Sequence, residues 1–157
     1  MGVAKLASQR SKDPSTQNGA CIVDPDTKRI LSVGYNGLPK GLDDNGCHIE
    51  NYPPACPKEG LIYDYWEKPQ KYDYSVHAEE NALIAGRDLT GSVIYIYSEK
   101  GYYPCSRCAR GIIQSGITEV ILNTAINHNT ETYDWKPTLH MFEKANIEIR
   151  VLNEKIV

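Results

Sequence analysis

Short apolar runs separated by polar segments divide the chain into strands and helices. Near the N-terminus, Val3–Gln9 has weak helical spacing and predicts a short opening helix. Two apolar runs, Ala20–Val23 and Ile30–Val33, flank the polar segment Asp24–Lys28. Because Asp and Pro in such a segment favour a turn, the pair of runs predicts a β-hairpin.

From Val76 onward the apolar pattern becomes regular, and helices alternate with strands. The predicted elements are helix Val76–Arg87, strand Ser92–Tyr97, helix Cys105–Ser115, strand Glu119–Asn123, helix Thr138–Lys144 and strand Ile147–Leu152. Alternation of this kind requires crossover connections and therefore favours parallel pairing. With the hairpin, the order α-β-β-α-β-α-β-α-β predicts an α/β fold, a three-layer α-β-α sandwich with a five-stranded mixed sheet.

Residues 36–74 interrupt this pattern with a long segment that has no clear period. The segment is rich in Gly, Pro, Asn and Asp, and it carries five tyrosines and Trp66. A loop of this length is unusual in a compact domain and is often a lid or a binding loop. The alternative is a surface insertion whose aromatic side chains pack on a neighbouring subunit.

Composition narrows the class of protein. A chain of 157 residues, 41% hydrophobic and 24% charged, predicts a single globular domain over residues 1–157. The net charge of −3 argues mildly against a nucleic-acid polymer as ligand, but not against a single nucleotide. No apolar run is long enough to span a bilayer or to serve as a signal peptide, so no membrane partner is expected. Five cysteines, an odd number, favour a reducing, cytoplasmic compartment over a disulfide framework.

Three candidate zinc ligands lie at the predicted starts of two helices. His77 supplies an imidazole, and Cys105 and Cys108 are three residues apart, on one helical face, so both sulfurs can reach one ion. Helix N-termini also favour thiolates over thiols. One His and two Cys leave a fourth tetrahedral position for water, which is typical of a catalytic zinc rather than a structural one. Zinc lowers the pKa of such a water to roughly 7.

Glu79 lies two residues after His77, close enough to the metal for proton transfer without being a ligand. The combination H-x-E and P-C-x-x-C is the known signature of zinc-dependent base deaminases, in which hydroxide attacks the ring carbon that carries the amine. A lone C-x-x-C could equally be half a structural zinc knuckle or a redox pair. The complete combination favours the catalytic interpretation, with Glu79 as the proton shuttle.

Further motifs resemble those of one branch of this superfamily, the deoxycytidylate (dCMP) deaminases. The motifs are Gln9–Pro14, Gln17–Val23, Gly34–Pro39, Val76–Ala82, Pro104–Ala109 and Ile112–Ile121. The resemblance implies hydrolytic deamination of dCMP to dUMP and ammonia, which supplies dUMP for thymidylate synthesis. Deamination of dCTP or of another cytosine nucleotide is the alternative.

The resemblance also implies substrate-binding residues. It assigns the sugar to Asn36 and a base contact to the backbone of Ala78. An Asn side chain offers both donors and acceptors to a hydroxyl. The alternative is that Tyr35, Asn36 and Gly37 form only a turn.

Members of the branch are typically homohexamers that dCTP activates and that dTTP inhibits together with Mg²⁺. The residues that would correspond to an effector site are Lys12, Asp13, Tyr35, Gly37, Asp43 and Asp44. Lysine could meet phosphates there, and the acidic residues could hold Mg²⁺. A solvated charged surface is the alternative.

Two departures from the branch bear on the site. The link Glu99–Tyr103 is longer than in the family, so the rim of the pocket is expected to differ. In addition, four residues could supply a second, structural zinc: Cys21, Cys47, His48 and Cys56. For Cys21, a buried core thiol is the simpler interpretation.

Rival functions remain at this point. They are deamination of a base within a nucleic acid, deamination of free cytidine, and an inactive zinc-stabilised nucleotide sensor. The loop tyrosines favour the first, whereas Glu79 argues against the last because a structural zinc needs no nearby carboxylate.

Overall fold

A five-stranded mixed sheet organises the protein, whose computed structural model describes residues 1–42, 47–48, 62–63, 68, 71–125 and 135–152. The elements, in chain order, are α1 (Gly2–Ser8), β1 (Asn18–Val23), β2 (Ile30–Tyr35), β3 (Cys47–His48), β4 (Ile62–Tyr63), α2 (Lys71–Tyr74), α3 (Ala78–Ala85), β5 (Val93–Ser98), α4 (Ser106–Gln114), β6 (Glu119–Leu122), α5 (Lys136–Lys144) and β7 (Glu148–Val151).

The strand order of the large sheet is β2-β1-β5-β6-β7. β1 is antiparallel to β2 and to β5, whereas β5, β6 and β7 run parallel to one another. The antiparallel part is the predicted hairpin, and the parallel part follows from the two helical crossovers through α4 and α5. The predicted α/β class and five-stranded mixed sheet are therefore confirmed.

Short elements lie within the segment 36–74 that has no clear period in the sequence. β3 and β4 pair antiparallel in a separate two-stranded sheet, and α2 forms one helical turn. Gly37 and Val76 form an isolated antiparallel bridge. Elements of two to four residues are too short to produce a detectable period, so the sequence does not predict them.

Helices cover both faces of the sheet, and two glycines mark where they approach closely. A Cβ at Gly19 would lie 1.9 Å from the carbonyl oxygen of Ala4 in α1. A Cβ at Gly34 would lie 2.2 Å from the carbonyl oxygen of Ala78 in α3. Gly34 pairs with Ala20, the neighbour of Gly19, and successive strand residues face opposite sides. α1 and α3 therefore lie on opposite faces, which confirms the three-layer arrangement.

The hydrophobic core lies between the sheet and the layer formed by α3, α4 and α5. Its buried members include Ala20, Ile22, Ile94, Ala82, Ala109, Ile112, Val120 and Phe142. The buried residues of α4 are Cys108, Ala109 and Ile112, whose spacing places them on one face of the helix. The same face of α4 that seals the core therefore also carries a predicted metal ligand.

Among the helices that the structure describes, none combines the length and the apolar character that crossing a bilayer would require.

Candidate active site

Two helix starts bring the predicted metal ligands together. His77 directly precedes α3 and Cys105 directly precedes α4, both with an extended backbone (φ −73°, ψ 159° and φ −69°, ψ 166°). Neither residue makes a side-chain capping hydrogen bond. Cys108 follows one turn into α4. The side chains of the two N-cap residues do not cap their own helices and instead contact each other.

The three donor atoms converge on one point. His77 Nδ1 lies 3.5 Å from Cys105 Sγ and 3.4 Å from Cys108 Sγ. In the described part of the chain, these residues form the one group of His, Cys, Asp or Glu side chains placed to hold a metal ion, with ligand atoms all within 4.8 Å of one another. Tetrahedral zinc, with bonds of about 2.3 Å to sulfur and about 2.0 Å to nitrogen, would place nitrogen and sulfur about 3.5 Å apart. The residues present therefore fit zinc.

The pKa shifts of the three ligand residues favour binding of a cation. A hydrogen bond from Cys108, opposed by burial and aided by His77, lowers the pKa of Cys105 to about 3. In this hydrogen bond the two sulfurs share the Cys108 proton. The bond, together with burial, therefore raises the pKa of Cys108. Burial alone would lower the pKa of His77, but the hydrogen bond with Cys105 and the negative charge of Glu79 outweigh it and raise the pKa. A divalent metal would take the place of the shared proton, since metal ligands bind deprotonated.

Hydrogen bonds hold the two helix starts against the rest of the fold. The buried hydroxyl of Ser32 in β2 donates to the carbonyl oxygen of Ala82 in α3 at 2.6 Å. The buried hydroxyl of Thr138 in α5 donates to the carbonyl oxygen of Pro104, directly before Cys105, at 3.0 Å. These contacts join the sheet and α5 to the segments that carry the ligands, and therefore help to set the distance between them.

Glu79 lies in the first turn of α3, only 6% exposed. Burial raises the pKa of its carboxyl group, and the positive charge of His77 offsets part of that effect. A carboxyl group whose pKa moves toward neutrality is better suited to both accept and return a proton near pH 7.

A cavity opens beside the cluster, and mostly polar side chains line it. Besides Ile96, its lining residues are Asp13, Thr16, Asn18, Asn36, Lys68, Lys71, Tyr72, Ser75, His77, Glu79, Ser98, Tyr102, Tyr103 and Cys105. The cavity thus joins two predicted metal ligands and Glu79 to residues from the first 36 positions of the chain.

Asn36 lies in the wall of this cavity, 4% exposed. Its Nδ2 donates to Asp13 Oδ2 at 3.1 Å and to the carbonyl oxygen of Thr16 at 2.8 Å. Its Oδ1 accepts from the backbone N–H of Asn18 at 2.8 Å. The side chain is therefore held in one orientation, and its predicted sugar-binding role stays a prediction.

A buried ion pair that the sequence does not reveal supports the same wall. Lys71, 7% exposed, places Nζ 2.6 Å from Asp13 Oδ2 and donates to Ser15 Oγ at 2.7 Å. Asp13, 2% exposed, also accepts from the backbone N–H groups of Ser15 and Thr16. The Asp13–Ser15 spacing is typical of a local turn. Lys71, 58 positions further along, carries no local signal that points to Asp13.

The remaining predicted residues are placed as follows. Ala78 is fully buried at the first position of α3. Lys12 and Tyr35 are exposed, and Gly37 bridges to Val76 beside the cluster. Asp43 and Asp44 lie outside the described residues. The proposed effector role of these positions and of Asp13 stays a prediction.

The predicted second zinc depends largely on residues outside the described part of the chain. Cys56 and the side chains of Cys47 and His48 lie there. Cys21 is buried in β1, where burial raises the pKa of its thiol. A buried thiol with a raised pKa is consistent with the simpler interpretation of Cys21 as a core residue.

Two tyrosines of the long link between β5 and α4 also line the cavity. The sequence predicts an altered rim at this link, but no pattern in it singles out Tyr102 or Tyr103. The backbone N–H of Tyr102 donates to Ser98 Oγ at 3.1 Å, and Gly101 adopts a positive φ of 68°. This turn folds the link back over the end of β5.

Comparisons with known proteins agree with the geometry. Residues 1–124 match the family described as the cytidine and deoxycytidylate deaminase zinc-binding region. Deoxycytidylate deaminase of Mus musculus is 41% identical over 157 residues, covering 99% of this chain and 78% of the relative. The Homo sapiens deoxycytidylate deaminase is 39% identical over 133 residues, covering 83% of this chain and 66% of the relative.

A solved structure shows the same fold. The dCMP deaminase from cyanophage S-TIM5, in complex with dCMP and dUMP, superimposes with a TM-score of 0.63 at 21% identity, covering 95% of this chain and 90% of that one. Together with the sequence matches, this likeness confirms the resemblance that the motifs indicate.

We expect purified protein to carry about one zinc per chain, and Cys105→Ser or Cys108→Ser to lose it, because each removes one thiolate from a three-ligand site. Elemental analysis after gel filtration measures this. Cys21→Ala is the matched control, since Cys21 lies in β1 outside the cluster, and it should keep the metal. Full zinc content in both cluster variants would contradict the assignment, and two zinc ions per wild-type chain would support the second site.

Proposed function

Because the chain belongs to the zinc-binding cytidine and deoxycytidylate deaminase family, we propose that it hydrolyses dCMP to dUMP and ammonia. The observation that carries the proposal is the cavity in which the His77, Cys105 and Cys108 cluster, the buried Glu79 and two lysines meet. Deamination of dCTP or of another cytosine nucleotide in the same cavity is the second candidate, since the longer link after β5 alters the rim. The dUMP formed would supply thymidylate synthesis.

In this reaction a C–O bond forms at C4 of the cytosine ring and the C4–N bond to the amine breaks. His77, Cys105 and Cys108 would hold the zinc ion, which would supply a water molecule of lowered pKa, available as hydroxide near neutral pH. Glu79 takes the proton that this water loses and delivers it to the ring nitrogen. It then carries the remaining proton of the oxygen added at C4 to the amine, which leaves as ammonia while the C4 carbonyl forms. Its burial and raised pKa support this double role.

Other residues would orient the nucleotide. Asn36 faces the sugar from a fixed position in the wall, and the backbone of Ala78, at the free start of α3, contacts the base. The start of a helix presents unpaired N–H groups, which suit a carbonyl oxygen of the base.

Positive charge near the cavity supports a nucleotide with a phosphate over a free nucleoside. Lys71 is neutralised by Asp13, whereas Lys68 forms no ion pair with another described residue of the cavity wall, so its charge can act on a ligand. Lys68 Nζ lies 5.8 Å from the centre of the Tyr72 ring. Lys100 reaches the same region, because it donates to the carbonyl oxygen of Ser15. A phosphate there would gain charge-assisted hydrogen bonds.

We expect dCMP to be turned over with a higher kcat/KM than dC, dCTP or CMP when ammonia release is measured for each. Lys68→Ala should lower kcat/KM for dCMP by about 10-fold, because a charge-assisted hydrogen bond to the phosphate is lost, and should leave dC unchanged. The control is Arg29→Ala, which removes the same charge from the exposed turn at the far end of the β1–β2 hairpin. Equal turnover of dC and dCMP would refute phosphate recognition.

Glu79→Gln tests the chemical step. Glutamine keeps the size and polarity of the side chain but cannot accept and return a proton. The variant should retain zinc and bind nucleotide, yet lose about 10²- to 10⁴-fold in kcat. Glu80→Gln, on the neighbouring residue, is the control. Loss of zinc would instead make Glu79 a ligand, and near-normal turnover would require another proton carrier.

We also propose that the enzyme is a homohexamer that dCTP activates and that dTTP with Mg²⁺ inhibits, as the resemblance implies. The described contacts offer a physical route. The backbone groups of Gly37 and Val76 exchange hydrogen bonds of 3.1 and 2.9 Å, directly before His77. Asn81 Nδ2 in α3 donates to the carbonyl oxygen of Tyr35 at 2.8 Å. A nucleotide bound at the end of β2 would therefore act on the start of α3.

Regulation is tested by measuring dCMP turnover with each effector. We expect dTTP with Mg²⁺ to suppress turnover and dCTP to oppose it. Lys12→Ala should blunt both responses without loss of zinc, because Lys12 is exposed and lies outside the cavity wall. A rate that neither nucleotide changes at any dCMP concentration would show that this part of the proposal is wrong.

A further inference from the structure

Two buried polar atoms in the cavity wall have no hydrogen-bond partner. In the described part of the chain, the buried side-chain oxygens without such a partner are Asn18 Oδ1, Tyr103 Oη and Glu80 Oε2. Glu80 Oε2 lies 3.2 Å from the guanidinium of Arg107, and this ion pair accounts for it. Asn18 and Tyr103, by contrast, both line the cavity beside the metal ligands. Buried polar groups normally find a partner, and leaving one without it destabilises the fold.

Asn18 is held firmly at the end of an inner strand of the sheet. It is the first residue of β1 and pairs with Ser98, the last residue of β5. Its backbone N–H donates to Asn36 Oδ1, and its backbone carbonyl oxygen accepts from the N–H of Asn36 at 3.3 Å. Because side chains two residues apart share a face, Asn18 lies on the same side of the sheet as Ala20, which contacts the layer of α3.

The neighbouring Asn36 can offer a ligand only the second lone pair of its amide oxygen. Both N–H groups of its amide are used by Asp13 and Thr16, and its oxygen already accepts from Asn18. An amide oxygen with no partner therefore exists beside Asn36, but it belongs to Asn18. An amide oxygen can only accept, so its missing partner must be a donor, such as a hydroxyl group.

Tyr103 lies two residues before Cys105, at the end of the long link. Its ring packs against the core, with its centroid 6.4 Å from that of Phe142. Phenylalanine would fill this space equally well, so the hydroxyl group adds nothing to the packing. A phenolic hydroxyl can donate one hydrogen bond, and this one has no partner in the described part of the chain.

We propose that Asn18 and Tyr103 are specificity-determining residues whose hydrogen bonds are completed by the bound nucleotide. Asn18 Oδ1 accepts from the sugar 3′-hydroxyl, next to Asn36. Tyr103 Oη donates to an acceptor oxygen of the nucleotide. The inference rests on the proposed function, since it concerns the same cavity.

Two conservative variants test the inference. Asn18→Leu and Tyr103→Phe each remove the polar atom while keeping most of the shape. Each should lower kcat/KM for dCMP by about 10- to 100-fold, mainly through KM, because the nucleotide loses its partner. Neither should lower the melting temperature, because each removes a buried group that lacked a partner. Tyr95→Phe is the control for Tyr103→Phe, since Tyr95 lies mid-strand in β5 outside the cavity, and it should change neither quantity.

The sugar contact has a sharper test in a substrate that lacks the 3′-hydroxyl, 2′,3′-dideoxycytidine 5′-monophosphate. Asn18→Leu should weaken turnover of dCMP but cause no further loss with the dideoxy substrate. The same loss with both substrates would overturn the assignment of the 3′-hydroxyl to Asn18. Asn18→Asp, which keeps an acceptor oxygen, should recover part of the activity that Asn18→Leu loses.

The outcomes separate this inference from the proposed function. If the wild type turns over dCMP and both variants match it, the inference is wrong and the function stands. If the wild type turns over a different cytosine nucleotide, the proposed substrate is wrong, and the same comparison on that nucleotide decides the inference. In either case, zinc content and melting temperature show that the variants are folded.

Discussion

The site depends on the meeting of one imidazole and two thiols at the starts of two different helices. Both sulfurs come within 3.5 Å of the imidazole nitrogen only because α3 and α4 begin at the same edge of the sheet. The absence of a side chain at Gly34 permits the close approach of α3 to β2, since a Cβ there would lie 2.2 Å from the carbonyl oxygen of Ala78. The packing of the helices on the sheet therefore sets the geometry of the zinc ligands.

A buried ion pair and its hydrogen bonds stabilise the cavity wall that faces this cluster. The Asp13–Lys71 pair is almost fully withdrawn from water, and such a pair seldom adds net stability because both charges are desolvated. Its value here is geometric. The Asp13 carboxylate contacts Lys71 through both oxygens and also accepts from Asn36. As a result, α2, the N-terminal loop and the end of β2 share one network. A buried network with most of its hydrogen bonds satisfied allows few alternative arrangements, which suits a wall that must present fixed groups to a small ligand.

Two polar groups of this wall have no hydrogen-bond partner among the described residues. The fold satisfies the amide of Asn36 three times over, yet leaves the oxygen of its neighbour Asn18 and the hydroxyl of Tyr103 without partners. Sites that recognise a ligand through hydrogen bonds sacrifice some stability in the free protein, because their polar groups are complete only when the ligand is bound. The position of these atoms beside the zinc ligands gives the cavity a polar character that the metal alone does not explain.

Local spacing in the sequence determined the metal ligands, Glu79 and the order of the main elements. Separations of two and three residues at a helix start are fixed by helix geometry itself, and so are the periods of strands and helices. Only the tertiary structure decided that Lys71 meets Asp13 across 58 positions, that three hydrogen bonds hold the Asn36 amide, and that Asn18 and Tyr103 lie in the same cavity. Contacts of this kind depend on how the layers pack, and a one-dimensional pattern contains no period that relates residues brought together only by packing.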